Sequence, residues 1–260
     1  MRPVALTVIP IRARRETGRF GLLGAVLCAI KDGGAELQDG DVLVVSSKYV
    51  ANSQGRMVDL GGISPSREGA DLARRYRIDP EMAEIVLRES DAVLGGTAGF
   101  VLTSGGGMMA PNAGIDRSNT AGGTAVLYPE DPYGTAEALR RGIFLACGAH
   151  VGVILSDSRL MPARVGTTGV AISCAGMEPV EDARARPDLD GNPLKVTFQA
   201  VADSLASAAN HGMGEAAESV PIAVLRGSGA RLTGRRILPA ESAVHHDTCV
   251  YVRGLSGTNP

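Results

Sequence analysis

A chain of 260 residues, 44% of them apolar, can bury a substantial core as one large domain or two small ones. Its net charge of −2 gives no electrostatic reason to expect a nucleic-acid or membrane-surface partner. With 34 glycines, few aromatics and no tryptophan, ligand recognition by closely approaching backbone is favoured over an aromatic stacking platform.

The basic clusters Arg12 to Arg15 and Arg74 to Arg77 are too short to alter this, and read as solvated faces or rims of a site. Cys28, Cys147, Cys174 and Cys249 stand in apolar surroundings without a CxxC pair. That predicts buried, reduced thiols and argues against a zinc knuckle or a disulfide framework. Met1 to Arg15 alternates and then turns basic, unlike a secretory leader, and no apolar run approaches the ~18 residues of a membrane span. A cytoplasmic location is the expectation.

In chain order, the β-branched run Val4 to Ile11 predicts a strand and Phe20 to Lys31 carries a helical apolar stripe. Asp39-Gly40-Asp41 is a turn into the apolar strand Val42 to Val45. Ser64-Pro65 sets a capping hydroxyl before a proline, predicting a helix to about Tyr76. Asp79-Pro80 repeats the device for a helix carrying Met82, Ile85, Val86 and Glu89. Gly95 to Gly107 is strand-like and then glycine-rich. Tyr133 to Cys147 reads as a helix, and Val151 to Leu155 and Val170 to Ala175 as strands. Lys195 to His211 spaces Val196, Ala200, Val201, Leu205 and Ala208 as one long helix. Ile222 to Leu225 is a clear strand and Val250 to Val252 a weaker one. Strands and helices without strict alternation, repeats or linkers predict an α+β fold with a mixed sheet.

Three segments carry chemistry. In Asn112-Ala113-Gly114-Ile115-Asp116-Arg117-Ser118-Asn119 small residues and two asparagine amides surround a carboxylate, approached through Gly105 to Gly107. Oxygen donors suit a hard cation and amides suit a phosphate, although a polar surface turn fits equally well. Ser156-Asp157-Ser158-Arg159 follows a buried strand directly, where sheets of this kind hold ligands, a helix or turn cap being the alternative. Downstream, Arg164-Val165-Gly166-Thr167-Thr168-Gly169 adds a cation suited to an anionic substrate. In Met213 to Pro221, Glu215 is a third carboxylate in ligand position or part of a helix C-terminal cap.

Together these segments resemble the coenzyme F420-0:L-glutamate ligase family. The resemblance runs from Ile9-Pro10 and Asp39-Gly40-Asp41 through Gln54-Gly55-Arg56, NAGIDRSN, Leu127 to Pro132, SDSR and Arg164-Val165-Gly166. It continues through Asp188-Leu189-Asp190-Gly191, Val201-Ala202-Asp203 and Met213-Gly214-Glu215 to Arg226-Gly227. It implies a GTP-dependent ligase joining L-glutamate to F420-0, with Mg2+ or Mn2+ at two sites, K+, and an intertwined homodimer of unusual α+β fold.

By the same resemblance, Asp116, Asp157 and Arg164 form the catalytic set. Asp116 and Asp157 would hold one metal, and Ser158 (commonly threonine in the family) and Glu215 a second. The nucleotide would be lined by Ile9, Pro10, Ile11 and Arg12, by Ser47 and Lys48, and by Asn52 and Asn119. The loop Met213, Gly214, Glu215, Ala216, Ala217, Glu218, Ser219 and Val220 would complete that lining.

The chain departs from the family in places. Asn52 stands where a lysine is common, with Lys48 in reach to substitute, which leaves GTP against ATP open. Leu160-Met161-Pro162 replaces a glycine-arginine and reshapes the acceptor pocket. Residues 1–227 are expected as the ligase-like domain and 228–260 as an extension packed on it. In that extension His245-His246-Asp247 reads as part of a capping strand or dimer arm more readily than as a third metal site. His150 and His211 are proton acceptors by chemistry alone, a structural role being commoner. Two alternatives stand beside the ligase reading: a glutamate ligase for another acid such as a folate, and a catalytically weak deazaflavin- or nucleotide-binding module. Retention of the carboxylates argues against the module.

Overall fold

The structure, a computed structural model, describes residues 5–16, 18–118, 120 and 122–255. Its elements begin with β1 (Thr7–Ile11), α1 (Leu22–Asp32), β2 (Val42–Ser46), α2 (Ser47–Gln54), β3 (Met57–Asp59), α3 (Arg67–Tyr76) and α4 (Pro80–Arg88). Then come β4 (Ala92–Thr97), β5 (Phe100–Gly105), β6 (Met108–Pro111), β7 (Thr124–Val126), α5 (Pro132–Cys147), β8 (Gly152–Leu160) and β9 (Thr167–Ala175). The last are β10 (Val180–Asp182), β11 (Phe198–Ala200), α6 (Val201–Met213), β12 (Ile222–Arg226) and α7 (Val250–Leu255). The fold is α+β with a mixed sheet. Its two compact units are residues 1–50 with 131–242, and 51–130 with 243–260.

The first unit is built on a five-stranded sheet in the order β1-β12-β2-β8-β9. Only β2 and β8 pair in parallel; the other neighbours are antiparallel. Pro10 falls in β1, an edge strand, where a missing amide is tolerated. Val42 to Val45, Val153 to Leu155 and Ile222 to Leu225 are closed to solvent on both faces, as their continuous apolar runs require. Helix α6 lays Ala202, Leu205, Ala206, Ala209 and Met213 over Val42, Val44, Ile154, Cys174, Ala223 and Leu225. It comes so close that a Cβ on Gly169 of β9 would lie 2.4 Å from the Ala206 carbonyl oxygen. Helix α5 packs against β8 and β9, and α1 against α5.

The second unit has its own core of Tyr76, Met82, Ile85, Val86, Val101, Ile115 and Ala125. Around it lie the sheet β4-β5-β6, the pair β3-β7, and the packed helices α3 and α4. Glu84, buried in α4, accepts from both the N–H (2.9 Å) and the hydroxyl (2.6 Å) of Ser66, whose Oγ in turn accepts from Gly69 N–H at the start of α3. One carboxylate thereby organises two helices.

Several elements differ from the sequence expectation. The cap of α3 is Ser66, not Ser64, because Pro65 lies outside the helix rather than in its first turn. Lys195 to His211 is not one helix: residues 198–200 pair with β10, Val196 is 82% exposed, and α6 starts at Val201. Residues 250–252 are helical, with backbone bonds closed locally, Arg253 N–H donating to Cys249 O (3.0 Å). Cys28 and Cys147 are exposed, whereas Cys174 and Cys249 are buried. Among the described residues no helix is long and apolar enough to cross a membrane.

Candidate active site

The parallel pairing of β2 with β8 aligns Ser46 with Ser156. The next residue on each side is Ser47, at the start of α2, and Asp157. The Ser47 hydroxyl donates to Asp157 Oδ1 at 2.9 Å. Asp157 is not at the end of a strand. After a bulge at Leu155/Ser156, β8 continues against β9 from Ser156↔Ala171 to Leu160↔Thr167. The bulge re-aims the following side chains, leaving Asp157 half-buried in mid-strand and Ser158 exposed.

Glu215 lies in the same unit, beyond α6. Its Oε1 accepts from Thr167 Oγ1 (3.1 Å) and Asn210 Nδ2 (3.0 Å), so the carboxylate is held from both β9 and α6. Gly214, at φ +79°, turns the chain out of the helix, and a Cβ there would meet Glu218 at 2.6 Å. Glu218 Oε2 accepts from Ala216 N–H (2.7 Å), and Ser219 O accepts from Ala13 N–H (3.1 Å). The structure thus brings the Met213 to Val220 loop beside the end of β1, where Pro10 and Arg12 are exposed. Ile11, 1% exposed and paired with Ile222, is buried. Arg164 is exposed in the loop joining β8 and β9.

Lys48 and Asn52 both fall in α2, one turn apart, an element the sequence pattern did not reveal. Asn52 Oδ1 is buried and has no hydrogen-bond partner among the described residues.

In the second unit Asp116 exchanges both backbone hydrogen bonds with Val126, at 2.9 and 2.8 Å. Its carboxylate accepts from Ser118 N–H (2.6 Å) and Ser118 Oγ (3.0 Å). Ahead of it Asn112, Ala113 and Gly114 all take positive φ. The Tyr128 ring lies against Gly114, where a Cβ would be 2.3 Å from it. Asn112 is structural: its Oδ1 accepts from Val101 N–H (2.9 Å). Gly106 and Gly107 make the β5-β6 turn at positive φ. Arg117 pairs with Asp79. Asn119 lies outside the described residues.

The His150 ring meets Phe144 at a 55° tilt, and the residue's backbone N–H donates to Asp39 (2.7 Å), which holds the Asp39 carboxyl below the usual range. His211 is exposed near the end of α6. His245, His246 and Asp247 cluster in a single-turn segment before α7, each imidazole 3.3 Å from the Asp247 carboxylate, and form no strand.

Asp116, Asp157, Ser158 and Glu215 offer only oxygen donors, without thiolate or imidazole. That donor chemistry fits hard cations such as Mg2+ and Mn2+.

The sequence pattern of the F420-0:Gamma-glutamyl ligase family matches residues 20–227. The chain belongs to this family. The coenzyme F420:L-glutamate ligase of Methanothermobacter thermautotrophicus is 39% identical over 203 residues, covering 78% of this chain and 81% of that protein. Proteins of the same name from Methanopyrus kandleri and Haloarcula marismortui are 40% and 41% identical, each over 74% of this chain and 77% of the relative.

All four oxygen-donor residues fall within the F420-0:gamma-glutamyl ligase match, and His245 to Asp247 fall beyond it. Sequence reasoning placed Ser47 beside the nucleotide but missed its bond to Asp157, for which the only signal was two apolar strands ending in serine. It also gave Arg159 no part, although Arg159 repeats the strand position of Asp157 two residues on.

Proposed function

We propose that the protein is a GTP-dependent ligase that joins L-glutamate to coenzyme F420-0 through a γ-glutamyl amide bond. The observation that carries this reading is the family match over the Asp116, Asp157 and Glu215 segments, whose carboxylates are each held by hydroxyl or amide donors. A carboxylate is a poor electrophile, so the acceptor acid requires activation. One of its oxygens attacks the γ-phosphorus of GTP, GDP leaves, and an acyl phosphate forms. The glutamate amine then attacks the acyl carbon, loses a proton and expels inorganic phosphate.

Asp116 with Asp157, and Ser158 with Glu215, would hold the divalent cations, Mg2+ or Mn2+ assisted by K+, which when bound neutralise phosphate charge. Ser47 holds the Asp157 carboxylate in one orientation. Lys48 offers a cation for a nucleotide phosphate, and exposed Arg164 one for substrate carboxylate or oxyanion. The Asn52 carbonyl oxygen, without a partner among the described residues, would be an acceptor for a nucleotide N–H or hydroxyl. The same reading includes a homodimer working in the cytoplasm.

Leu160 and Met161, 43% and 41% exposed beside this site, favour a second reading in which another acid takes the place of F420-0. Incubation with F420-0 or a folate, glutamate, GTP or ATP, and Mn2+, followed by mass analysis, separates the readings. F420-0 heavier by glutamyl residues, with GDP formed, supports the first. Extension of the folate alone supports the second, and binding of nucleotide without any product would leave only a binding module.

A further inference from the structure

Arg159 lies two residues beyond Asp157 on β8. Strand side chains alternate, so the two share one face, roughly 7 Å apart along the strand. Both are half-buried, while Ser158 and Leu160 are exposed. The Nε and Nη2 of Arg159 are buried, with no hydrogen-bond partner among the described residues.

Those two nitrogens form the edge by which other arginines of this unit grip carboxylates. Arg226 uses them on Asp41 at 2.9 and 2.8 Å, and Arg140 on Glu137 at 2.8 and 2.7 Å. Arg184 does the same with Asp182. In Arg159 the identical edge is buried and, among the described residues, meets no acceptor. A guanidinium does not discharge, and buried donors left unpaired are costly. The geometry asks for a partner with two oxygens set to meet a planar fork, which a carboxylate or a phosphoryl group supplies.

We infer that Arg159 binds an oxyanion of a substrate, gripping two of its oxygens through Nε and Nη2 beside Asp157. This rests on the ligase reading of the same site and adds a contact that orients the reacting anion. The oxyanion has two possible sources, a substrate carboxylate and a nucleotide phosphate.

Steady-state kinetics of Arg159→Gln and Arg159→Lys, varying GTP, glutamate and F420-0 in turn, distinguish them. For Arg159→Gln the KM for one substrate rises roughly 30-fold or more, the KM values of the others hold, and the melting temperature is unchanged. A rise for GTP assigns the phosphoryl group; a rise for glutamate or F420-0 assigns a carboxylate. Arg159→Lys keeps the charge without the fork and falls between wild type and Arg159→Gln; it replaces the glutamine variant if that one does not fold. Unchanged KM values for all three substrates overturn the inference. Equilibrium dialysis of each ligand is run alongside, because failure of the wild type to ligate F420-0 would refute the ligase reading alone. Weaker retention of one ligand by the variant would still support the Arg159 contact, and equal retention of all three would overturn it.

Discussion

The hydroxyl of Ser47 reaches Asp157 Oδ1 at 2.9 Å, joining residues 110 apart in sequence at the start of a helix and the middle of a strand. Ser47 is buried, so this donor has a fixed position. In Ser47→Ala the carboxylate loses one orienting partner. Mn2+ affinity is expected to fall roughly tenfold or more, with a stability loss of about 1 kcal/mol. Equilibrium dialysis with Mn2+ and a denaturant melt measure both; unchanged affinity would deny the bond its orienting role.

Gly169 lets α6 lie directly on β9, and Ser207 Oγ donates to its carbonyl at 2.7 Å. In Gly169→Ala the new methyl meets backbone of α6, which cannot rotate away, so helix and strand separate. A loss of about 1–3 kcal/mol follows, with increased amide exchange in α6 and the Glu215 loop. Exchange confined to other elements would contradict the packing described.

Glu84 ties Ser66 to α4. The Ser66 hydroxyl, its N–H and the Arg88 guanidinium together lower the Glu84 carboxyl to about 2. Because the folded value lies below the unfolded one, this contribution is present above about 4.5 and is lost as pH falls toward about 2. Glu84→Gln should lower the melting temperature near neutrality and flatten its acid limb across that window. A parallel downward shift at every pH would show that the charge is not what stabilises the second unit.

The Cys174 thiol is pushed up to about 12, chiefly by burial. A thiol reagent at pH 8 is therefore expected to label exposed Cys28 and Cys147 quickly, and Cys174 and buried Cys249 only after unfolding. Peptide mapping after brief labelling reads this directly. Rapid modification of Cys174 in the folded protein would contradict its place under α6.

The strands Val42 to Val45, Val151 to Leu155 and Ile222 to Leu225 were legible because buried sheet needs uninterrupted apolar residues. The continuation of β8 through Ser156-Asp157-Ser158-Arg159 was not, since its polar side chains hide a pairing that only β9 reveals. Helix α2 was hidden for a related reason: Ser47 to Gln54 has no apolar stripe, and its buried Tyr49, Val50 and Ala51 are consecutive. Both aspartates stood out as carboxylates among small residues. Their holders, Ser47 and Ser118, emerge only with strand register and turn geometry.

Asp157→Ala, compared with wild type in the presence of F420-0, isotopically labelled glutamate, GTP and Mn2+, tests the central claim most directly. Mass analysis should show glutamyl-extended F420 with matching GDP for the wild type, and no product for a variant whose circular dichroism and melt remain native-like. Equal turnover by that variant would contradict the placement of the chemistry at Asp157.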